Sequence, residues 1–547
     1  MRENLATLYE AVGDVAGERP AVIQGAVQRS WRELDERASR LARWLADAGL
    51  GRGDRVAIAL YNGPEYVETI LAVMKLRCAQ VNVNYRYRER ELRELLADSG
   101  AAALVMDAAL TPVAAAALPG LPRMRTIVRR GAPPPDGPPD ALAGRADDYA
   151  RVVTEGPPLP RAERSGDDEW LMYTGGTTGR PKGVLWRQAD LVTHVLTSGY
   201  GQLGRPIPAD LDELRAATAE ALDDPRRPVT LVAPPIMHGT GMYTTLGTLI
   251  VAGTVVFLSS RSHDADEVAT LIRRHPITGL CIVGDVFARP LADALDRAAG
   301  NGRPYDSNNL RQIVSVGVTW SAEVKERLLR HWDVRLDDVI AASEGGPFAR
   351  SVTTRGKHTV TSRFELTPGA RVIDEDGADI VPGSGQVGML AAPAPPRTHY
   401  LGDPVKSAVT FRDVGGRRYV VPGDLAMIEA DGSLTLLGRD GRVINTGGEK
   451  VFAEEVEQVI AQHPKVDDVY VIGVPDERWG HRIAAVVAVP DGAGLTADDV
   501  RACVTAELAD YKQPREVVFV PELRRSPAGK ADLAWARGIV TAALEPT

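Results

Sequence analysis

The sequence predicts an α/β protein with a large N-terminal domain of layered sheets and helices, a β-rich subdomain and a small C-terminal α/β domain. Short apolar runs of strand length, such as residues 55–60, alternate with helical patterns such as residues 64–76. This alternation is typical of largely parallel sheets covered by helices. The chain has 547 residues, too many for one hydrophobic core, so we expect it to divide into domains.

Further strands and helices are predicted in the same order along the chain. Residues 131–140 are rich in proline and glycine and predict a surface connection, and residues 202–228 predict a polar helical insertion. The apolar runs that predict strands lie at 103–106, 229–233, 254–258, 280–283 and 312–316, and helical patterns lie at 264–274 and 321–331.

The character of the sequence changes near its C-terminal end. Strand and turn residues dominate from 369 to 437, where Asp376-Gly377 and Asp431-Gly432 are hairpin candidates. The remaining stretch of about 110 residues again has an α/β pattern, and this is a normal size for a domain. We therefore predict two domains, 1–438 and 439–547.

Composition excludes several classes of protein. A net charge of −9, without a dense run of Lys and Arg, argues against a nucleic-acid-binding protein. The three cysteines lie far apart, which fits neither a zinc site nor a disulfide framework and predicts a cytoplasmic location. The longest apolar stretch, residues 246–258, is interrupted by Gly and Thr and is too short for a transmembrane segment.

Residues 173–183 read Tyr-Thr-Gly-Gly-Thr-Thr-Gly-Arg-Pro-Lys-Gly. Glycines let backbone N–H groups approach an anion, threonines add hydroxyl donors, and Lys182 adds a positive charge, so the run is suited to a polyphosphate. It is not a Walker loop, because Pro181 precedes Lys182 and Gly183 follows it. The alternative interpretation is a flexible surface turn. The candidate phosphate-binding residues are Thr174, Gly175, Gly176, Thr177, Thr178, Gly179 and Lys182.

This run resembles the signature loop of the adenylate-forming superfamily, which includes acyl-CoA synthetases, luciferases and the adenylation domains of peptide synthetases. Gly175 stands where serine is usual, and together with Trp186 it resembles a branch of actinobacterial CoA ligases for fatty and steroid acids. The resemblance extends over nearly the whole chain. It implies that the protein uses ATP and Mg²⁺ to convert a carboxylic acid to acyl-AMP, releasing pyrophosphate, and then forms acyl-CoA from CoA.

The same resemblance implies a set of nucleotide and metal contacts. Residues 340–344 resemble the family's Tyr-Gly-x-Thr-Glu motif, with Ser343 as the hydroxyl and Glu344 as the catalytic Mg²⁺ ligand. Ile340 and Ala341 depart from that motif, so the family's aromatic contact with adenine is missing from the pattern. Asp338 falls where relatives place an acceptor for the adenine amino group.

Three further segments complete the implied nucleotide site. Gly317, Val318 and Thr319 resemble the glycine-rich segment beside adenine and the acyl group. Asp424 resembles the aspartate of a Thr-Gly-Asp motif that accepts from the ribose hydroxyls, although a turn-capping aspartate is the alternative. Arg439 resembles a second ribose contact at the domain junction.

The C-terminal domain is implied to move between two half-reactions. The family places its adenylation lysine on the loop that holds Lys530 here, where a cation bridges the substrate carboxylate and the α-phosphate. The segment Gly447, Gly448 and Glu449 resembles the lining of the thiol tunnel, and His238 resembles a gate between that tunnel and the acyl pocket. Gly441 takes the pivot position, where many relatives have Asp or Lys.

The identity of the acid is less constrained by sequence. The expected pocket edges are small, so we predict room for a large hydrophobic acid, in particular a polycyclic isoprenoid or steroid acid. The alternative is that these glycines only form turns. An acceptor other than CoA (a carrier protein or a partner enzyme), a nucleotide-binding scaffold without catalysis, and a homodimer all stay open. The pocket edges are Gly239, Thr240, Gly241, Gly317, Gly345 and Gly346.

The implied role of Lys530 can be tested by separating the two half-reactions. Lys530→Ala should block acyl-AMP formation, because the bridging charge is lost, and should largely spare thioester formation from supplied acyl-AMP. Acid-dependent ATP–pyrophosphate exchange measures the first step, and acyl-CoA formation from synthetic adenylate measures the second. Equal loss of both steps would contradict separate roles for the two faces of the C-terminal domain.

Overall fold

The computed structural model describes residues 1, 3–133, 140–175, 181–307, 309–317, 320–356, 363–439, 443–490, 492, 494–524 and 533–544. Within this part, the predicted α/β class is confirmed, with layered sheets and helices followed by a β-rich region and a smaller α/β unit. No helix among these residues is both long enough and apolar enough to cross a lipid bilayer.

The first 160 residues build a five-stranded parallel sheet in the order β4-β3-β5-β6-β7 and its covering helices. The predicted strand and helix at residues 55–60 and 64–76 are confirmed as β3 and α3. Local signals set the helix starts: Ser30 accepts from the Glu33 N–H, and Glu33 accepts from the Ser30 N–H, which together cap α2. The elements are α1 (Leu5–Ala16), β1 (Pro20–Gln24), β2 (Val27–Ser30), α2 (Trp31–Asp47), β3 (Arg55–Ala59), α3 (Pro64–Lys75), β4 (Ala79–Asn82), α4 (Glu89–Ser99), β5 (Ala103–Asp107), α5 (Thr111–Ala117), β6 (Thr126–Arg130), β7 (Ala146–Asp148) and α6 (Tyr149–Thr154).

The next segment contributes β10 to β14 to a 15-stranded sheet, in which the run β1-β11-β10-β12-β13-β14 is parallel and β2 pairs antiparallel with β1 at its edge. All the strands and helices predicted between residues 229 and 331 are confirmed, and the predicted polar insertion contains α8. The elements are β8 (Glu169–Gly175), β9 (Pro181–Arg187), α7 (Gln188–Gln202), α8 (Leu211–Leu222), β10 (Val229–Val232), α9 (Gly239–Ile250), β11 (Thr254–Phe257), α10 (Ala265–Arg274), β12 (Gly279–Ile282), α11 (Gly284–Gly300), β13 (Gln312–Val316), α12 (Ala322–His331) and β14 (Arg335–Ala342).

The sheet becomes antiparallel after β14, where Val339 pairs with Arg350. The predicted hairpin at Asp431-Gly432 is confirmed, because it joins two strands in which Ile428 pairs with Leu434. At the other hairpin candidate, Asp376-Gly377, the chain turns and one antiparallel bridge joins Ile373 to Asp379, without a second strand. The elements are β15 (Gly345–Thr353), β16 (Arg363–Leu366), β17 (Arg371–Ile373), β18 (Gly388–Pro393), β19 (His399–Tyr400), α13 (Pro404–Thr410), β20 (Phe411–Val414), β21 (Arg417–Val420), β22 (Asp424–Ile428) and β23 (Leu434–Arg439).

The C-terminal unit has its own five-stranded sheet, with the path β25-β24-β27-β26 and β28 paired to β27. Its two apolar clusters contain only residues from Ile444 onward, so it buries a separate core. The predicted boundary after residue 438 falls one residue before the end of β23, and the strands of the C-terminal sheet begin with β24 at Val443. The elements are β24 (Val443–Thr446), β25 (Glu449–Phe452), α14 (Ala453–Ile460), β26 (Asp468–Asp476), β27 (Gly480–Ala488), α15 (Ala497–Glu507), β28 (Glu516–Val520) and α16 (Leu533–Leu544), with a 3₁₀ turn at Asp510–Lys512.

Helices α7 and α9 approach each other closely at a glycine contact. A Cβ atom at Gly199 would lie 2.7 Å from the carbonyl oxygen of Gly247 and 2.8 Å from a methyl group of Ile250. A side chain at position 199 would therefore push the two helices apart. This contact sets the separation of α7 and α9. Both helices also line the central cavity of the protein.

Replacing Gly199 tests this packing. Gly199→Ala should lower the free energy of unfolding by about 1–3 kcal/mol, because the added methyl group overpacks the contact. The matched control is Gly201→Ala on the same helix, where a Cβ has no neighbour within 4 Å. That variant should be neutral or stabilising by up to about 1 kcal/mol, since alanine favours helix. Urea unfolding of both variants provides the measurement, and equal effects would contradict the close-contact argument.

Candidate functional site

A central cavity with a volume of about 1410 Å³ lies where the large domain meets the C-terminal unit. Its walls come from α7, α9, the ends of β13 and β14, and the turn between β24 and β25. The predicted site residues that line it are Thr174, His238, Gly317, Ser343, Gly447, Gly448 and Glu449. Residues from both predicted domains therefore meet around one space.

The most direct contact between the two parts is made by the carboxylate of Glu449. Its Oε1 lies 3.3 Å from Nε2 of His238 and 3.3 Å from Nη1 of Arg86. The Glu449 side chain is only 8% exposed. Burial alone would raise the pKa of Glu449, but His238 and Arg86 outweigh it, so the pKa lies below its usual value. The site thus holds a buried, ionised carboxylate.

The turn before Glu449 requires glycine at both positions. Gly447 and Gly448 have φ angles of +60° and +84°, which L-residues with side chains rarely adopt. A Cβ at Gly447 would lie 2.7 Å from the Trp479 ring, and one at Gly448 would lie 3.5 Å from Val283 of the large domain. The turn therefore brings bare backbone against the large domain beside His238, as a narrow thiol passage would need.

The predicted phosphate loop joins β8 to β9, which pair so that Thr174 lies opposite Lys182. Gly176, Thr177, Thr178 and Gly179 lie outside the described residues. The Lys182 ammonium lies 3.2 Å from Asp403 and 5.7 Å from the centre of the Tyr400 ring. The hairpin thus places this cation at the base of the loop.

Glu344 and Ser343 lie beside this hairpin. The Tyr400 hydroxyl donates to Glu344 at 2.7 Å, and the Trp186 indole N–H donates to the Ser343 carbonyl at 3.1 Å. No group of three or more His, Cys, Asp or Glu side chains in the described part could hold a metal ion. Glu344 alone fits Mg²⁺ held mainly by phosphate oxygens and water, which is a common arrangement for this ion.

The structure corrects the expectation for Asp338. Its carboxylate accepts from the buried Lys325 ammonium at 2.9 Å, and burial raises its pKa to about 6. Neighbouring residues on β14 alternate between faces, so Asp337 and Val339 line the cavity while Asp338 faces α12. The side chain predicted to meet adenine is thus engaged in an ion pair on the other face of the sheet.

The other predicted nucleoside residues lie near strand ends. Asp424 and Arg439 are directly opposite each other on β22 and β23, so one backbone pair carries both proposed ribose contacts. Gly317 follows β13 with a φ angle of +113° and lines the cavity. Val318, Thr319, Lys530 and Gly441 lie outside the described residues.

Sequence reasoning missed an aromatic group in the cavity wall. The His194 ring lies 5.0 Å from the Tyr243 ring and 5.7 Å from the Trp186 ring, measured between centres. Burial lowers the pKa of His194 to about 4, so its imidazole is neutral at pH 7. Polar residues at a helical period, including Thr197 and Ser198, follow His194 on the cavity face of α7. This helical spacing of polar residues in an otherwise apolar helix was the sequence signal that α7 lines a cavity.

The predicted small pocket edges divide into two groups. Gly239, Thr240, Gly345 and Gly346 line the cavity. Gly241 is not among the lining residues, and a Cβ there would lie 2.5 Å from the carbonyl oxygen of Pro235. Its missing side chain therefore serves the packing of α9 and not the width of the pocket.

Comparison with known proteins identifies the family. Residues 9–393 match the AMP-binding enzyme family, and residues 455–530 match the AMP-binding enzyme C-terminal domain. The chain is 38% identical to a 3-oxocholest-4-en-26-oate–CoA ligase of Rhodococcus rhodochrous, over 98% of this chain and 96% of the relative. It is 38% identical to the medium-chain acyl-CoA ligase Mig of Mycobacterium avium, over 96% of each chain.

A solved structure has the same fold over nearly the full length. The amide bond synthetase McbA of Marinactinospora thermotolerans superimposes with a TM-score of 0.78 at 26% identity, over 97% of this chain and 99% of that chain. The protein belongs to the AMP-binding, or adenylate-forming, enzyme family. It is an AMP-forming acid–thiol ligase, an enzyme whose substrates are a carboxylic acid, ATP with Mg²⁺, and CoA.

The neutral state of His194 predicts how stability depends on pH. The folded protein keeps this imidazole neutral down to about pH 4, whereas the unfolded chain takes up a proton near pH 6.5. Stability is therefore lost as pH falls between these values, by up to about 3 kcal/mol for this group. His194→Phe should flatten that slope, as measured by urea unfolding from pH 7.5 to 4.5. The pKa of His263 is also lowered to about 4, so part of the slope should stay. An unchanged slope would contradict the prediction.

Proposed function

We propose that this ligase activates a large hydrophobic acid, in particular a polycyclic or steroid acid, and transfers the acyl group to CoA. The observation that carries the proposal is the single cavity of about 1410 Å³ that runs from Gly317 and Ser343 to the cavity face of α7. Ordinary small-molecule pockets are about 300–1,000 Å³. A cavity above that range leaves room for a bulky acyl group beside the nucleotide.

The relatives support the same class of acid. One curated relative acts on 3-oxocholest-4-en-26-oate and another on medium-chain acids, and each is 38% identical to this chain. The cavity wall favours a ring system over a simple chain, because Trp186, His194 and Tyr243 present aromatic faces to it. Flat aromatic faces pack well against fused rings, and the polar groups on α7 offer hydrogen bonds to an oxygen substituent.

For the first half-reaction, the carboxylate of the acid attacks the α-phosphorus of ATP, and pyrophosphate leaves. We assign the phosphate contacts to the loop after Thr174 and to Lys182, and the charge bridging the reacting groups to Lys530. Bound Mg²⁺ would neutralise phosphate charge, and Glu344 is the protein ligand that we assign to it. Positioning and electrostatic stabilisation supply most of the rate in this chemistry, so cationic donors at the reacting oxygens are the main requirement.

For the second half-reaction, the CoA thiol attacks the acyl carbonyl and AMP leaves. We assign the thiol passage to the turn at Gly447 and Gly448, and the gate to His238, which Glu449 holds at 3.3 Å. The rim of the cavity on the C-terminal unit carries a group of basic residues that would attract the CoA phosphates. This group consists of Lys450, Arg478, Arg482 and Arg515.

Another acceptor is the second candidate. The similar McbA structure is an amide bond synthetase, so an acyl adenylate in this fold can pass to an amine. Transfer to a carrier protein or a partner enzyme belongs to the same class of alternative. The basic rim favours CoA, because a neutral amine has no phosphate groups for these residues to bind.

A cytoplasmic setting fits the free Cys78, Cys281 and Cys503, and homodimer formation stays a prediction.

Acids of graded size test the proposal. We expect pyrophosphate release to be fastest with steroid or other polycyclic acids, slower with medium-chain fatty acids, and at least about tenfold slower with acetate or benzoate, which leave the cavity unfilled. Each acid is assayed with and without CoA, and the products are identified by mass spectrometry. A clear preference for acetate or benzoate would contradict the assigned acid class. Acyl-AMP that is never converted to acyl-CoA would contradict CoA as the acceptor.

A further inference from the structure

A buried group of charges joins the two domains, and one of its members, Lys512, lines the central cavity. The Lys512 ammonium donates to Oε1 of Glu91 and to Oε2 of Glu455, each at 2.8 Å. Glu91 lies on α4 of the large domain, whereas Lys512 and Glu455 lie in the C-terminal unit. The three side chains are 5%, 5% and 11% exposed for Lys512, Glu91 and Glu455. We call these three residues the interdomain latch.

The Lys512 ammonium is the charge that both carboxylates share. Burial raises the pKa of Glu455. Burial alone would lower the pKa of Lys512, but Glu91 and Glu455 outweigh it and the pKa lies above its usual value. The ammonium is therefore retained. The group has two carboxylates and one ammonium, so removing the Lys512 charge leaves two buried carboxylates without a cation, whereas removing the Glu91 charge leaves the Lys512–Glu455 pair and takes away the attraction between the domains.

Each half of the latch is held within its own domain. The second carboxylate oxygen of Glu91 accepts from the Arg88 N–H at 3.0 Å and so caps the start of α4. Lys512 keeps Glu455 as a partner inside the C-terminal unit. When the domains separate, Glu91 stays fixed by its helix and gains water, while Lys512 stays paired. The contact can therefore open and re-form without unfolding either domain.

The latch also adjoins the contacts that lead to the cavity. Tyr511 precedes Lys512, lines the cavity, and lies with its hydroxyl 3.4 Å from Nδ2 of Asn84. The Arg86 guanidinium lies 5.8 Å from the centre of the Tyr511 ring and contacts Glu449. A short series of contacts thus connects the latch to the carboxylate beside His238.

We propose that Lys512, through Glu91, is a positioning residue for thioester formation, because it holds the C-terminal unit in the arrangement that places Glu449 against His238. This inference rests on the proposed function, in which Lys530 serves the other half-reaction. The latch must then open for acyl-AMP formation and close for CoA transfer. Weakening it should slow the second step and leave the first unchanged or faster.

The test compares a latch variant with a variant of another, more exposed ion pair between the two domains. Glu91→Gln removes the charge but keeps an oxygen that can cap α4. The matched control is Glu507→Gln, which breaks the part-exposed ion pair with Arg90, where N and O are 2.7 Å apart. Such exposed pairs contribute little. Acid-dependent ATP–pyrophosphate exchange without CoA measures the first step, and single-turnover acyl-CoA formation from supplied acyl-AMP measures the second.

We expect Glu91→Gln to slow thioester formation at least about tenfold while exchange is retained, and Glu507→Gln to change neither step more than about twofold. Lys512→Met is a second variant with the same expectation. An equal loss of both steps, or no loss in either, would overturn the positioning role. If the unmodified protein performs neither step, the proposed function fails and this inference fails with it.

Discussion

The contact between Glu449 and the pair formed by His238 and Arg86 is the interaction on which this site depends. A carboxylate that is almost fully buried needs compensating charge or hydrogen bonds, and these come from the other domain. The Glu449 carboxylate therefore has these two partners only when the C-terminal unit contacts the large domain. In the same arrangement Gly448 approaches Val283, so the Gly447-Gly448 turn and the Glu449 carboxylate contact the large domain together.

The contacts between the large domain and the C-terminal unit include several pairs of opposite charge. The two apolar clusters of the C-terminal unit contain no residue before Ile444, whereas the interdomain contacts include the ion group around Lys512. Interfaces of this polar kind resemble transient contacts between proteins. Such a surface can separate into water at little cost, as the proposed movement of the C-terminal unit between the two half-reactions would require.

The acyl side of the cavity has a different physical basis, which is close helix packing. Gly199 lets α7 approach α9 at the carbonyl of Gly247, and the same two helices present His194 and Tyr243 to the cavity. The width of the pocket therefore depends on the backbone contact at Gly199, a residue that does not itself line the pocket. Gly241 illustrates the converse, because it resembles a pocket residue in sequence and in fact accommodates Pro235.

Short apolar runs and helical patterns determined the α/β class and part of the fold, since β3, α3, β5 and the strands from β10 to β13 lie where these patterns predicted them. The glycine- and threonine-rich run at 173–183 was recognised from its own residues as a candidate phosphate loop, and the family resemblance pointed to Gly447, Gly448 and Glu449. Only the tertiary structure decided which face of β14 carries Asp338, that Glu449 meets His238, and that Lys512 meets Glu91. These facts depend on strand registers and on pairs of residues hundreds of positions apart, and a linear pattern does not encode such distances.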